Sequence, residues 1–242
     1  MPFNCPLSLE KAARLIDAMA LTDKNRVLDA GCGRGEFLIR LIEATNARGL
    51  GIDIDADLIR AAEIEAAKRL SPDTIGFLAE DVKNASLKNE TFDAAICLGS
   101  THAFGDGYAA YPNAVNALTN LVRPGGQILI GEGYWKQTPA QEYVELLGEP
   151  VGIYHDHHKN MAIAEQSGLI PLYAAVSNED EWDHFEWSHR MRFERMAAEN
   201  PDDPAASEKL SASRRWHAGY LRWGRSTMGF GFYLFMKPLG SK

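Results

Sequence analysis

Residues 27–35 read V-L-D-A-G-C-G-R-G, and this stretch restricts the possible folds more than any other. A short apolar run ends on Asp29, three glycines follow at Gly31, Gly33 and Gly35, and a helical pattern opens at Glu36. Glycines at a strand-to-helix turn let the backbone bend sharply and let a ligand approach the main chain. Such a turn belongs at the carboxyl end of a strand in a parallel sheet, where nucleotide-like ligands bind.

The rest of the chain continues the alternation. Strands are expected over Arg26–Ala30, Gly49–Ile54, Ile75–Ala79, Ala94–Leu98 and Gln127–Gly131. Helices are expected over Leu9–Ala20, Glu36–Thr45, Ala56–Leu70 and Tyr111–Val122, the last stopped by Pro124, Gly125 and Gly126. Strands alternating with helices imply a doubly wound α/β sheet with helices on both faces. Further on, Pro139–Leu147 and His155–Ser167 read as helices, Leu169–Val176 as a strand and Phe230–Met236 as a closing strand. Two helical stretches, Glu179–Glu199 and Ala205–Arg225, precede that last strand and read as a helical cap over 179–226. The expected organisation is one domain over 1–242, with its core at 22–178 and 228–240 and an N-terminal helix at 8–20.

The glycine spacing separates cofactor classes. The dinucleotide fingerprint places glycines at positions one, three and six. Here they stand at one, three and five, and Glu36 occupies position six. Asp29 would repel a pyrophosphate and attract an ammonium group. Both features favour S-adenosylmethionine, which carries an amino-acid tail and no phosphate, over a nicotinamide dinucleotide.

Bulk properties narrow the partners. Net charge is −8, which argues against general nucleic-acid affinity, since phosphate neutralisation needs a basic face. Cys5, Cys32 and Cys97 are scattered with no C-x-x-C pair, so neither a disulfide framework nor a structural zinc site is expected. No run reaches the ~18 apolar residues of a membrane span, and no signal-peptide pattern opens the chain. The expected location is the cytoplasm, with no membrane partner.

Four stretches resemble the class I S-adenosylmethionine-dependent methyltransferase family. They are V-L-D-A-G-C-G-R-G at 27–35, G-I-D-I-D at 51–55, A-E-D-V at 79–82, and F-D-A-A-I-C-L-G-S at 92–100 followed by L-V-R-P-G-G-Q-I-L-I at 121–130. The resemblance covers about Arg26 to Gly131. It implies a Rossmann-like, seven-stranded, mostly parallel sheet, with S-adenosyl-L-methionine as cofactor. It assigns Asp53 to the ribose hydroxyls, with Ile54 beside it, and Asp81 and the Val82 N–H to the adenine. Asp29, Gly31 and Gly33 would hold the methionine tail, and Leu98 would offer a carbonyl beneath it. Asp55 reads as a helix cap.

Acceptor-side candidates follow the fourth and fifth strands. His102 and Tyr134 are the candidate catalytic residues, with Glu132 and Trp135 as further acceptor contacts. Trp182, Phe185, Trp187 and Phe193 are core of the cap or an apolar acceptor pocket. The crowded Arg214, Arg215, His217, Arg222 and Arg225 are a solvated face or a site for an acidic acceptor. His155, His157 and His158 invite a metal reading, but the implied reaction needs none, and no metal is expected. The function expected is methyl transfer by in-line displacement onto a small or medium organic acceptor. The alternatives are a protein that binds the cofactor without turnover and a protein or RNA methyltransferase.

Overall fold

The computed structural model describes residues 2–240; Met1, Ser241 and Lys242, the ends of the expected 1–242 domain, lie outside it. Seven strands form one sheet: β1 (Arg26–Ala30), β2 (Arg48–Asp53), β3 (Ile75–Ala79), β4 (Phe92–Leu98), β5 (Val122–Trp135), β6 (Ile170–Val176) and β7 (Met228–Met236). Their order is β3-β2-β1-β4-β5-β7-β6. The first five run parallel, and β7 lies antiparallel between β5 and β6. The strand order reverses between β1 and β4. The carboxyl ends of these strands leave a crevice there, and ligands of such sheets bind in it.

Among the described residues, eight helices of seven or more residues surround the sheet: α1 (Leu9–Met19), α2 (Glu36–Thr45), α3 (Ala56–Arg69), α4 (Ala110–Leu121), α5 (Gln141–Leu147), α6 (His157–Gln166), α7 (Glu179–Glu199) and α8 (Pro204–Gly219). Two apolar clusters cover the two sheet faces. One joins α1 and α2 to Val27, Ala94, Leu129 and Phe232. The other joins α4 and α6 to Leu28, Ala95, Ile130 and Tyr233. Alternate residues of β1 and β7 divide between the two, as the strand period of two requires.

The expected boundaries hold closely, with two differences on β5. The strand begins at Val122, before the Pro124-Gly125-Gly126 stop. Its pairing with β4 slips there, from Phe92↔Val122 to Ala94↔Gln127, and Gly125 at φ 79° turns the extra residues out as a bulge. The strand also continues past Gly131 to Trp135, because β7 pairs with it along that whole length, out to Met228. Glu132 and Tyr134 therefore belong to the strand and not to a following loop.

The cap is tied to the N-terminal helix. Lys11 of α1 and Glu181 of α7 form a buried ion pair. Glu181 also accepts from the backbone N–H groups of Ser8 (3.2 Å) and Asn178 (2.8 Å), closing a capping box at the start of α7.

Candidate active site

Gly31 and Gly35 show why the turn after β1 is glycine-rich. Gly31 has φ 77°, and a Cβ there would strike the Ser100 side chain. Gly35 has φ 70° as the N-cap of α2, and a Cβ would lie 2.8 Å from the Phe77 ring. Either substitution combines backbone strain with a collision. The loop is fastened to the neighbouring strand: the Gly31 and Cys32 N–H groups donate to the Ile52 carbonyl, at 2.8 and 3.0 Å. The Gly31 N–H is thus occupied. Its role is to admit close approach, and its carbonyl accepts from Ser100 Oγ at 3.2 Å.

A cavity of about 890 Å³ opens beside this loop. Asp29, Gly31, Gly33, Asp53 and Leu98 line it, five of the eight expected cofactor residues. Asp53 Oδ2 accepts from the Gly33 N–H at 2.8 Å and Oδ1 from the Asp55 N–H at 3.0 Å. These bonds fix the carboxylate and leave acceptor capacity on both oxygens. Asp55 itself caps α3, accepting from the N–H groups of Asp57 and Leu58 at 2.8 and 3.2 Å. Asp29 is only 3% exposed. Burial, reinforced by the neighbouring Asp53 carboxylate, pushes its carboxyl up to about 7.

The other three expected cofactor residues stand at the same sheet end, outside the cavity lining. Ile54 is 75% exposed. Asp81 closes its own turn, accepting from the Lys83 N–H at 2.9 Å. The Val82 side chain is buried in the core cluster that contains Leu28 and Ile52. The opposite wall was not legible in the sequence. It comes from Phe3 and Asn4 and from α7, through Ser188, His189, Arg192 and Arg195.

A second cavity, of about 490 Å³, adjoins the first. The two share Asn4, Gly99 and His102. His102 sits on the short helical turn Thr101–Phe104 directly after β4 and lines both. Glu132 lines the second cavity and is buried. It accepts from Thr101 Oγ1 and from the Gly133 N–H, and burial pushes its carboxyl up to about 7. Tyr134 lines neither cavity; its ring packs edge-on against His157, 5.2 Å between centroids. The extension of β5 explains this. Paired along its whole length, the strand holds Tyr134 against α6.

The remaining candidates divide by packing. Trp182 and Phe185 line the second cavity, whereas Trp187 is half exposed and Phe193 lies under Arg192. Arg214 pairs with Glu194 and Arg225 with Glu179 and Asp183, so these two cations are engaged within the cap. His155 stacks on Tyr108, while His157 Nδ1 lies 3.1 Å from the Tyr233 hydroxyl.

Three comparisons with known proteins bear on this site. The family described as "Methyltransferase domain" matches residues 27–126, from β1 into β5. The uncharacterized protein YjhP of Escherichia coli is 28% identical over 94% of this chain and 91% of its own length. The 27-O-demethylrifamycin SV methyltransferase of Amycolatopsis mediterranei is 28% identical over 67% of this chain and 61% of its own. The crystal structure of a SAM-dependent methyltransferase from Geobacter sulfurreducens in complex with S-adenosyl-L-homocysteine superposes with a TM-score of 0.87, at 26% identity. The match covers 97% of this chain and 93% of that one. Nearly the whole chain thus shares the fold of such an enzyme, and its central segment, residues 27–126, carries the methyltransferase domain of class I S-adenosylmethionine-dependent enzymes.

Proposed function

We propose that the protein transfers a methyl group from S-adenosyl-L-methionine to a small organic acceptor. The observation that carries this reading is the pair of adjoining cavities, one built on the glycine loop and Asp53, the other walled largely by aromatic rings, with His102 at their junction. The residues present suit the cofactor. Asp53 has acceptor capacity for two ribose hydroxyls, and Asp29 offers a buried carboxylate to an ammonium group. Gly31 leaves the main chain bare, and the Leu98 carbonyl ends β4 beside it. We place Ile54, Asp81 and Val82 at the adenine end on their position after β2 and β3. When bound, the cofactor supplies a methyl carbon made electrophilic by its sulfonium. This chain's part is to align the acceptor with that carbon and to exclude water. His102 is the residue we assign to the transfer itself; Tyr134 is the weaker assignment, because it faces α6.

We further propose a single domain over 1–242, with the cap at 179–226 returning to the core sheet through β7. Its place of work would be the cytoplasm. The net charge of −8 speaks for a small-molecule acceptor and against nucleic acid, and no helix among the described residues is long and apolar enough to cross a membrane.

Calorimetric titration with S-adenosylmethionine, S-adenosylhomocysteine and a nicotinamide dinucleotide tests the cofactor. Binding of the first two and not the third is expected, and binding of the dinucleotide alone would overturn the reading. Product release with an acceptor then separates an enzyme from a protein that only holds the cofactor.

A further inference from the structure

The lining of the second cavity is unbalanced in charge. Three carboxyl groups line it, from Asp106, Glu132 and Glu149. Among its described lining residues there is no lysine or arginine, and His102 is the one imidazole. Rings make up much of the remaining wall: Tyr111, Tyr154, Trp182, Phe185, Trp216 and Phe230. An anionic acceptor would meet like charges with no cation to offset them. A neutral acceptor would use the rings alone. A cationic amine engages both kinds of wall, since aromatic faces attract ammonium groups and carboxylates pair with them.

Three details strengthen the match. Glu132 sits on β5 with one donor on each oxygen, Thr101 Oγ1 on Oε2 and the Gly133 N–H on Oε1, so each oxygen retains a lone pair. A buried carboxyl held in this way ionises when a cation arrives beside it. Behind the ring of Trp216 stands a further buried carboxyl: the indole N–H donates to Glu186 Oε2 at 2.9 Å. In the same cavity wall, the buried hydroxyl of Tyr111 has no hydrogen-bond partner among the described residues.

We infer that the acceptor is a primary or secondary amine with an apolar body, bound as its ammonium between the aromatic walls and Glu132, and methylated on nitrogen. This rests on the methyl-transfer reading above. The ammonium gives a proton to the Glu132 carboxylate, which frees the nitrogen lone pair. That pair forms the new N–C bond as the methyl C–S bond breaks, and the electrons of the broken bond stay on sulfur, leaving a neutral thioether. The methylated nitrogen takes over the positive charge, and the Glu132 proton passes to solvent when the product leaves.

Three probes of matched size and different charge test this: 2-phenylethylamine, 2-phenylethanol and phenylacetate. Each is titrated calorimetrically into the full chain, with and without S-adenosylhomocysteine. The amine should bind about tenfold tighter than the alcohol, and phenylacetate weakest of the three. Glu132→Gln should remove that preference while alcohol binding and S-adenosylhomocysteine binding stay unchanged, which shows that the variant is folded. Glu149→Gln, on the exposed rim, should have a smaller effect in the same direction. With S-adenosylmethionine present, mass spectrometry should find the amine one methyl heavier. Phenylacetate or the alcohol binding as well as the amine, no binding of the amine, or a preference that survives Glu132→Gln would each overturn the inference. If the amine preference holds and S-adenosylhomocysteine does not bind, the cofactor reading fails and the cavity's charge selectivity stands. The reverse pattern sinks only the amine.

Discussion

At the residue scale, the buried Asp29 links stability to pH. Its carboxyl, pushed up to about 7 by burial and by Asp53, holds a proton in the folded state that the unfolded chain loses near the ordinary aspartate value. Its contribution to stability is therefore present below that ordinary value and is lost as pH rises toward 7. Asp29→Asn should stabilise the ligand-free protein at pH 8 by on the order of 2–4 kcal/mol and have little effect near pH 4, as urea denaturation at the two pH values would show. The same change should weaken cofactor binding. In the unsubstituted protein, cofactor affinity should rise as pH increases toward 7 and level off above it, because the ammonium group needs the ionised carboxylate. A pH-independent affinity would remove Asp29 from the methionine tail. Asp53→Ala should cost about 1–3 kcal/mol of cofactor binding, the loss of a charged hydrogen-bond acceptor. An affinity within error of the original protein would sink the ribose assignment. His102→Ala should lower turnover more than cofactor affinity, since His102 borders both cavities and not the cofactor cavity alone.

At the scale of elements, the junction of α1 and α7 holds the cap in place. The Lys11–Glu181 pair is buried on both sides, and Lys11 Nζ also donates to the Val176 carbonyl at 2.6 Å. Removing one partner leaves an uncompensated buried charge. Lys11→Met should therefore destabilise the protein by about 3–5 kcal/mol. Lys11→Met combined with Glu181→Leu should recover a large part of that loss in chemical denaturation. Recovery of nothing would mean that the backbone bonds to Glu181, not the ion pair, hold the junction. Helices α2 and α7 illustrate what was legible at this scale. Both match their expected bounds: the Glu36 start follows a glycine turn, and at the start of α7 the structure adds a capping box between Asn178 and Glu181. The extent of β5 was not legible. Pro124, Gly125 and Gly126 read locally as a stop, and only pairing with β4 and β7, far away in the chain, converts them into a bulge within a long strand.

At the scale of the whole molecule, the cavity beside the glycine loop is closed by segments far apart in the chain. Phe3 and Asn4 form one part of its wall and Ser188–Glu199 of α7 another, with the glycine loop beneath. Adding S-adenosylhomocysteine should slow amide hydrogen exchange in both segments as well as at Gly31–Gly35. Protection confined to the glycine loop would show that the cap does not engage the cofactor. The second cavity is assembled in the same way, from the turn after β4, from β5 and from the cap helices.

The amino-acid sequence by itself determined the alternation of strands and helices, the turn after β1 and the acids at the strand ends. These rest on local physics: the side-chain periods of helix and strand, the left-handed φ that Gly31 and Gly35 adopt, and the capping chemistry of Asp55. Only the tertiary structure decided which polar groups line the two cavities. It turned Tyr134 toward α6, buried Glu132 beside Thr101 and brought α7 over the glycine loop. Each of these depends on contacts between residues distant along the chain, and no local pattern records them.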